Sequence, residues 1–236
     1  QASRAFETAG YAERRSAALG NLSLVYRDLG LYRHARRLQE ETIDLNRGTG
    51  ARVGLAYGLE HLLDVEMRLG ALDAARLHLD EFAALVPALG DPLMDAGLPQ
   101  QRGNLALAEG HPAAAVRHIR SGLRTIRVAG SPSVEIRAFT RIAEACLANR
   151  DPAAALTAST RATTLHRELA YAQLDNFPSQ EAWLRHAQAL RANGKERESR
   201  EALERAHGIL LEGISHLGYE GLRRHYPTKV AATRDL

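Results

Sequence analysis

Leu29-Gly30-Leu31-Tyr32-Arg33-His34-Ala35 is answered by Leu69-Gly70-Ala71-Leu72-Asp73-Ala74-Ala75 and again by Glu109-Gly110-His111-Pro112-Ala113-Ala114-Ala115. What the three share is a glycine every 40 positions with an alanine five places after it. The frame continues at Arg150 with Ala155, then slips by four to Gly194 with Ser199. A glycine just past a helix end takes the left-handed conformation that satisfies the last carbonyls, so a second helix can start within a few residues. A small residue one turn into that second helix lets the two approach closely. Each instance therefore encodes a helical hairpin, and there are five of them.

Start signals agree with this placement. His111-Pro112 and Asp151-Pro152 set a polar cap before a proline at the first helical position, where a missing N–H costs nothing. Asp73 stands in a similar place before Ala74. Apolar spacing predicts helices over 16–29 and 33–46, 52–69 and 73–86, 134–148 and 152–168, and 180–192 and 196–214. Leu19, Leu22, Tyr26 and Leu29 supply the apolar face of the first helix, and Ala35, Leu38, Thr42 and Leu45 that of its partner. The third unit is less regular: its second helix covers 113–127, and Pro99 predicts a first helix that begins near 99 or kinks there. No stretch keeps the period-two alternation of a strand.

These signals give an all-α single domain over 1–236, a solenoid with repeats at about 11–50, 51–90, 91–130, 131–170 and 178–215. Residues 169–179, with Asn176-Phe177-Pro178, miss the period and read as an inserted connection. Residues 216–236 read as a cap or linker holding a short closing helix around Gly218 to Pro227, with Ala231 to Leu236 opening another. The start at Gln1 with Ala5, Phe6 and Ala9 in mid-pattern reads as the tail of a helix cut from something larger.

Composition excludes several classes. Lysine and arginine number 31 against 28 acidic residues, a net charge of +3, and the arginines alternate with acids along helices. That is a solvated, ion-paired face, and it gives no case for nucleic acid. One cysteine, Cys146, forbids an internal disulfide and suits a reducing, cytoplasmic setting. No apolar run reaches the roughly 20 residues that cross a bilayer. The histidines lack metal-ligand spacing, and His34, His78, His118 and His166 fall at polar helix positions expected on the surface. No phosphate loop or nucleophile elbow occurs, so neither a catalytic residue, a cofactor nor a metal is expected. Cys146 and Trp183 fall at helix-packing positions and are expected to be buried.

Gly20-Asn21-Leu22-Ser23-Leu24-Val25-Tyr26, then Leu29-Gly30-Leu31-Tyr32 and Ala35, resembles the tetratricopeptide (TPR) motif. Trp183 followed by Ala187, Leu190, Gly194 and Ser199 resembles the tryptophan-led form of that motif. The likeness spans about residues 11–210, with a 40-residue period against the usual ~34. It implies a TPR-like superhelix whose first helices line a concave face. Projected onto this chain, that face carries Asn21, Arg27 and Asp28, then Tyr57, Glu60, His61, Asp64 and Arg68. It continues through Gln100, Gln101, Asn104, Arg137, Arg141, Glu144, Arg185 and Gln188. Of a carboxylate clamp only Asn21 and Asn104 are similar, and the lysines are missing.

The stretch from Phe177 to Leu190, with Gly194 and Ala202-Leu203-Glu204-Arg205-Ala206, resembles the last repeat of bacterial multidomain signalling proteins. The resemblance implies a non-catalytic regulatory module whose groove takes a peptide, a partner protein or another domain of its own polypeptide, with homodimerisation also open. The alternative is a small-ligand sensor of the kind found in nucleotide-hydrolysing transcription activators.

Overall fold

The computed structural model describes residues 2–174, 177–216 and 220; side chains are described from residue 10 onward. Among the described residues there are ten α-helices and no strand. They are α1 (Ala2–Asp28), α2 (Tyr32–Thr49), α3 (Arg52–Leu69), α4 (Leu72–Leu85), α5 (Pro92–Ala108), α6 (Pro112–Ala129), α7 (Pro132–Ala148), α8 (Pro152–Glu168), α9 (Ser179–Ala192) and α10 (Glu196–Ser215). Consecutive helices pair as antiparallel hairpins. The odd-numbered helices then stack, α1 on α3, α3 on α5, α5 on α7 and α7 on α9.

The turns fall where the punctuation put them, at left-handed Gly30, Gly70, Gly110 and Gly194, with Arg150 at φ 58° taking the place of glycine. The periodicity is finer than the sequence suggested, because Gly50, Gly90 and Gly130 between hairpins are left-handed as well. From Gly30 to Ala170 a left-handed residue thus recurs every 20 positions. The alanines one turn into each second helix, Ala35, Ala75, Ala115 and Ala155, are wholly buried, and Ser199 nearly so. Two serines use the same close approach: Ser23 Oγ donates to the Ala35 carbonyl at 3.1 Å and Ser199 Oγ to that of Ala187 at 2.9 Å.

Several expectations are corrected. Leu22 is 42% exposed, and the buried residues of α1 are Ser16, Ser23 and Arg27, while Leu29 just past its end is buried as expected. A helix drawn this close to its partner presents small residues at the contact and turns its bulky leucine outward. The third unit begins at Pro92, capped by Asp91, whose carboxylate accepts from the Leu93 N–H at 2.8 Å. Pro99 lies inside that helix. Gly122 of α6 makes room for it, since a Cβ there would lie 3.0 Å from Pro99 Cβ. Asp151 caps α8 through the Ala154 N–H at 3.0 Å. His111 makes no side-chain cap, and Asp73 sits inside the first turn of α4. His166 is fully buried rather than on the surface.

Cys146 is buried, and burial pushes its thiol pKa up. Trp183 packs with Ala187, Leu190, Ala202 and Ala206 between α9 and α10. Residues 169–178 join α8 to α9 as the inserted connection, with Asp175 and Asn176 outside the described residues. The closing helix around Gly218 to Pro227 and the segment Ala231 to Leu236 also lie outside them, residue 220 apart.

Candidate functional site

The stacked odd helices border a cavity of about 680 Å³. Its floor is built from Arg27 and Asp28 at the end of α1, Glu60, His61, Asp64 and Arg68 on α3, Gln101 and Asn104 on α5, and Arg137 and Arg141 on α7. Helical spacing explains the grouping: 60, 64 and 68 rise one turn at a time, as do 137 and 141, so each helix offers one stripe. The far wall comes from elsewhere, from Tyr171, Gln173, Leu174, Phe177 and Pro178 of the inserted connection and from the face of α10 that carries Arg205 and Ile209.

The floor is an ion-paired mesh. Asp64 lies 3.4 Å from Arg68 and 3.9 Å from Arg27. Burial pushes its carboxyl up, but the charges of Arg68, Arg27, Arg141 and Arg137 outweigh that and hold it well below the usual carboxylate range. Arg137 of α7 reaches past α5 to Glu60 of α3 at 3.6 Å. This span is open because Gly97 of α5 lies against Glu60, whose Oε1 would be 3.3 Å from a Cβ there. Arg141 donates to Glu144 at 2.6 Å and to Glu181 at 2.8 Å, and Arg185 donates to Glu144 at 2.8 Å. Burial and then the nearby Arg27 and Arg137 charges lower the His61 pKa, against the opposing pull of Glu60. The mesh leaves polar atoms over: Asn104 Oδ1, Arg137 Nε and both amide atoms of Gln100 are buried with no protein hydrogen-bond partner. Left unpaired, such atoms cost about 1–3 kcal/mol each.

The residues expected on the concave face divide into three groups. Arg27, Asp28, Glu60, His61, Asp64, Arg68, Gln101, Asn104, Arg137 and Arg141 border the cavity. Glu144, Arg185 and Gln188 extend the mesh toward α9 without bordering it, Arg185 donating to Gln188 at 2.9 Å. Asn21 is exposed away from the cavity, Tyr57 stacks on His61 with ring centroids 6.4 Å apart, and Gln100 is buried beside the floor. Sequence reasoning missed the far wall. Tyr171, Leu174 and Phe177 belong to a segment without periodicity, and α10 belongs to the helix class that usually faces outward. The only available signal was that 169–179 broke the period.

The far wall has its own hydrogen-bond chain. The Trp183 indole N–H donates to His166 Nδ1 at 2.9 Å, which leaves His166 Nε2 to donate to the Ala172 carbonyl at 3.0 Å. The chain therefore requires a neutral imidazole, and burial lowers the His166 pKa in agreement. It fastens a turn in which Ala170 and Tyr171 are both left-handed, with φ of 51° and 60°. Among the described residues no group of three or more histidine, cysteine or acidic side chains could hold a metal ion, and no helix is long and apolar enough to cross a membrane.

No protein-family model and no curated protein matches the sequence. Solved structures do. A Rap protein complexed with competence and sporulation factor is similar with TM-score 0.68 and 14% identity, over 96% of this chain and 63% of that one. BtubC (BKLC) from P. vanneervenii is similar with TM-score 0.60 and 14% identity, over 92% of this chain and 94% of that one. The nearly identical TPR-like repeats of a Podosopora anserina putative kinesin light chain are similar with TM-score 0.56 and 17% identity, over 86% and 97%. Hairpins in series, stacked first helices and these neighbours agree that the chain has the TPR-like α-solenoid fold.

Proposed function

We propose that this chain is a non-catalytic interaction module whose concave cavity takes an extended peptide, presented by a partner protein or by another domain of the same polypeptide. The single observation that supports it most is a cavity of about 680 Å³ with a charged floor and Asn104 Oδ1 and Arg137 Nε buried there without partners. An unpaired acceptor and an unpaired donor on neighbouring helices match the two polar groups of a peptide unit, and rotation of the two side chains would bring them to the cavity surface. The similar Rap protein was solved with competence and sporulation factor, which favours the same use of the fold here. Binding would bias the stack between curvatures and pass that bias to whatever adjoins it, as in a regulatory part of a larger bacterial signalling protein in the cytoplasm.

The cavity volume also lies in the range of small-molecule sites, which favours a second reading as a ligand sensor. The ion-paired floor points that reading to a polar ligand, not an apolar inducer.

Random-sequence peptides panned on the whole chain, with affinities then measured by fluorescence polarisation, test the proposal. Saturable binding that Asn104→Ala and Arg137→Ala each weaken by about tenfold is the expected result. Peptides that bind equally well to both variants would remove the concave floor from the site. No peptide binding, with thermal shifts from polar metabolites, would favour the sensor.

A further inference from the structure

We infer that the far end of the cavity, between Tyr171, Leu174 and α10, is an anchor subsite for one large apolar side chain of the bound peptide; this rests on the peptide-groove reading above. Helix α10 carries two distinct faces. Ser199, Ala202, Ala206 and Leu210 are buried in the protein. Arg205, Gly208, Ile209, Glu212, Gly213 and His216 lie instead on a face that borders the cavity, their steps of three and four from 205 marking one helical stripe.

Glycine inside a helix is destabilising relative to alanine, so its presence calls for a reason. At several helical glycines of this chain the reason is intramolecular, although Gly10 in α1 and Gly48 in α2 also face open space. A Cβ at Gly103 would lie 2.3 Å from Ile119, and one at Gly58 2.9 Å from Ile43. At Gly208 and Gly213 a Cβ would meet nothing within 4 Å. Among the described residues no neighbour claims that space, and both glycines border the cavity. Bare helix backbone there admits a ligand closer than any side chain would allow.

The opposite side of this end is aromatic and held in place. Tyr171 is 41% exposed, yet its ring is fixed between the Arg205 guanidinium, 4.7 Å from the ring centroid, and Trp183 at 6.0 Å. Leu174 borders the same cavity and is buried in the cluster of Leu165 and Phe177. An exposed ring clamped in this way loses little freedom when a ligand covers it, which favours binding. Tyr171, Leu174 and Ile209 offer a bound side chain an apolar spot within a rim that also carries Gln173, Glu212 and His216, whereas the floor at Arg137 and Asn104 carries a donor and an acceptor. A peptide that places its backbone over the floor and one bulky apolar side chain at α10 satisfies both halves.

The test uses the whole chain and a fluorescent hexapeptide library scanned position by position. Wild type is expected to select Leu, Ile, Met, Phe or Trp at one position. Gly208→Leu is expected to weaken the best peptide roughly ten- to hundred-fold while leaving its alanine-substituted counterpart unchanged, with a melting temperature no lower than wild type. Should that variant melt early, Tyr171→Asn, which suits the left-handed backbone while removing the ring, is read by the same criterion. Absence of any apolar preference, or an equal effect on both peptides, overturns the anchor. Continued sensitivity of binding to Arg137→Ala then leaves the groove itself standing. If wild type retains no hexapeptide, the groove and the anchor fall together.

Discussion

His186 is buried with its Nδ1 3.0 Å from Ser159 Oγ, and burial first, then the Arg167 charge, pushes its pKa down to about 4. A base whose folded pKa is depressed binds fewer protons folded than unfolded. Its contribution to stability therefore falls as the pH drops from the ordinary 6.5 toward 4 and is constant below. Across that window the loss is about 3 kcal/mol. His166, lowered by burial, acts in the same direction, while His78, raised by the hydrogen bond it donates to Glu66, opposes it. Chemical denaturation of wild type and His186→Asn at neutral pH and at the lower edge of the window isolates the one residue: the wild type should lose more stability on acidification than the variant. Arg150 is a second residue-scale case. Its φ of 58° costs a side-chain-bearing residue about 1–2 kcal/mol, partly offset in any glycine replacement by the freedom glycine gains when unfolded. Arg150→Gly is expected to stabilise the protein by about 0.5–1 kcal/mol in thermal unfolding. A lower melting temperature would show that the Arg150 side chain does more than fill a turn.

At the scale of elements, α5 and α6 are fitted to each other by what they omit. Replacing a helical glycine by alanine ordinarily gains about 0.5–1 kcal/mol. At Gly103 the new Cβ would sit 2.3 Å from Ile119 Cγ1 and 3.1 Å from the Ala115 carbonyl oxygen, and overpacking of that kind costs about 1–3 kcal/mol. The clash exceeds the gain, so Gly103→Ala should destabilise, whereas the same change at Gly208 should stabilise. Denaturant midpoints of the two variants would decide it. This contrast also marks what could be read from the chain alone. Gly30 with Ala35 and its echoes announced each hairpin because turn and close approach are set within a few neighbouring residues. Helix stripes such as Glu60, Asp64 and Arg68 placed half the cavity for the same local reason. Tyr171, Leu174 and the second face of α10 stayed hidden, because the path of the inserted connection depends on His166, Trp183 and Ala172 meeting across separate elements. Pro99 misled as a start near 99, where α5 in fact begins at Pro92, because the room for its ring inside α5 depends on Gly122 in another helix.

Across the whole molecule, charges bind one repeat to the next. Glu181 is nearly buried, and Arg141 from the preceding hairpin reaches it at 2.8 Å. Removing only the arginine would leave that carboxylate without its main counter-charge, a loss of about 3–5 kcal/mol for a buried pair. Arg141→Met is therefore expected to cost about 3 kcal/mol, and Arg141→Met with Glu181→Met to recover most of it. A double-mutant cycle read by denaturation checks this, and additive losses would mean that the two are not coupled.

The left-handed turns keep time every 20 residues from Gly30 to Ala170, and the next, Gly194, arrives four residues late. Those four residues amount to a phase shift. They let α10, which the even beat would have aimed at the outside world, look into the hollow instead. A family of such chains could retune what they hold by lengthening or trimming one loop, with every hairpin and the whole charged floor left as they were.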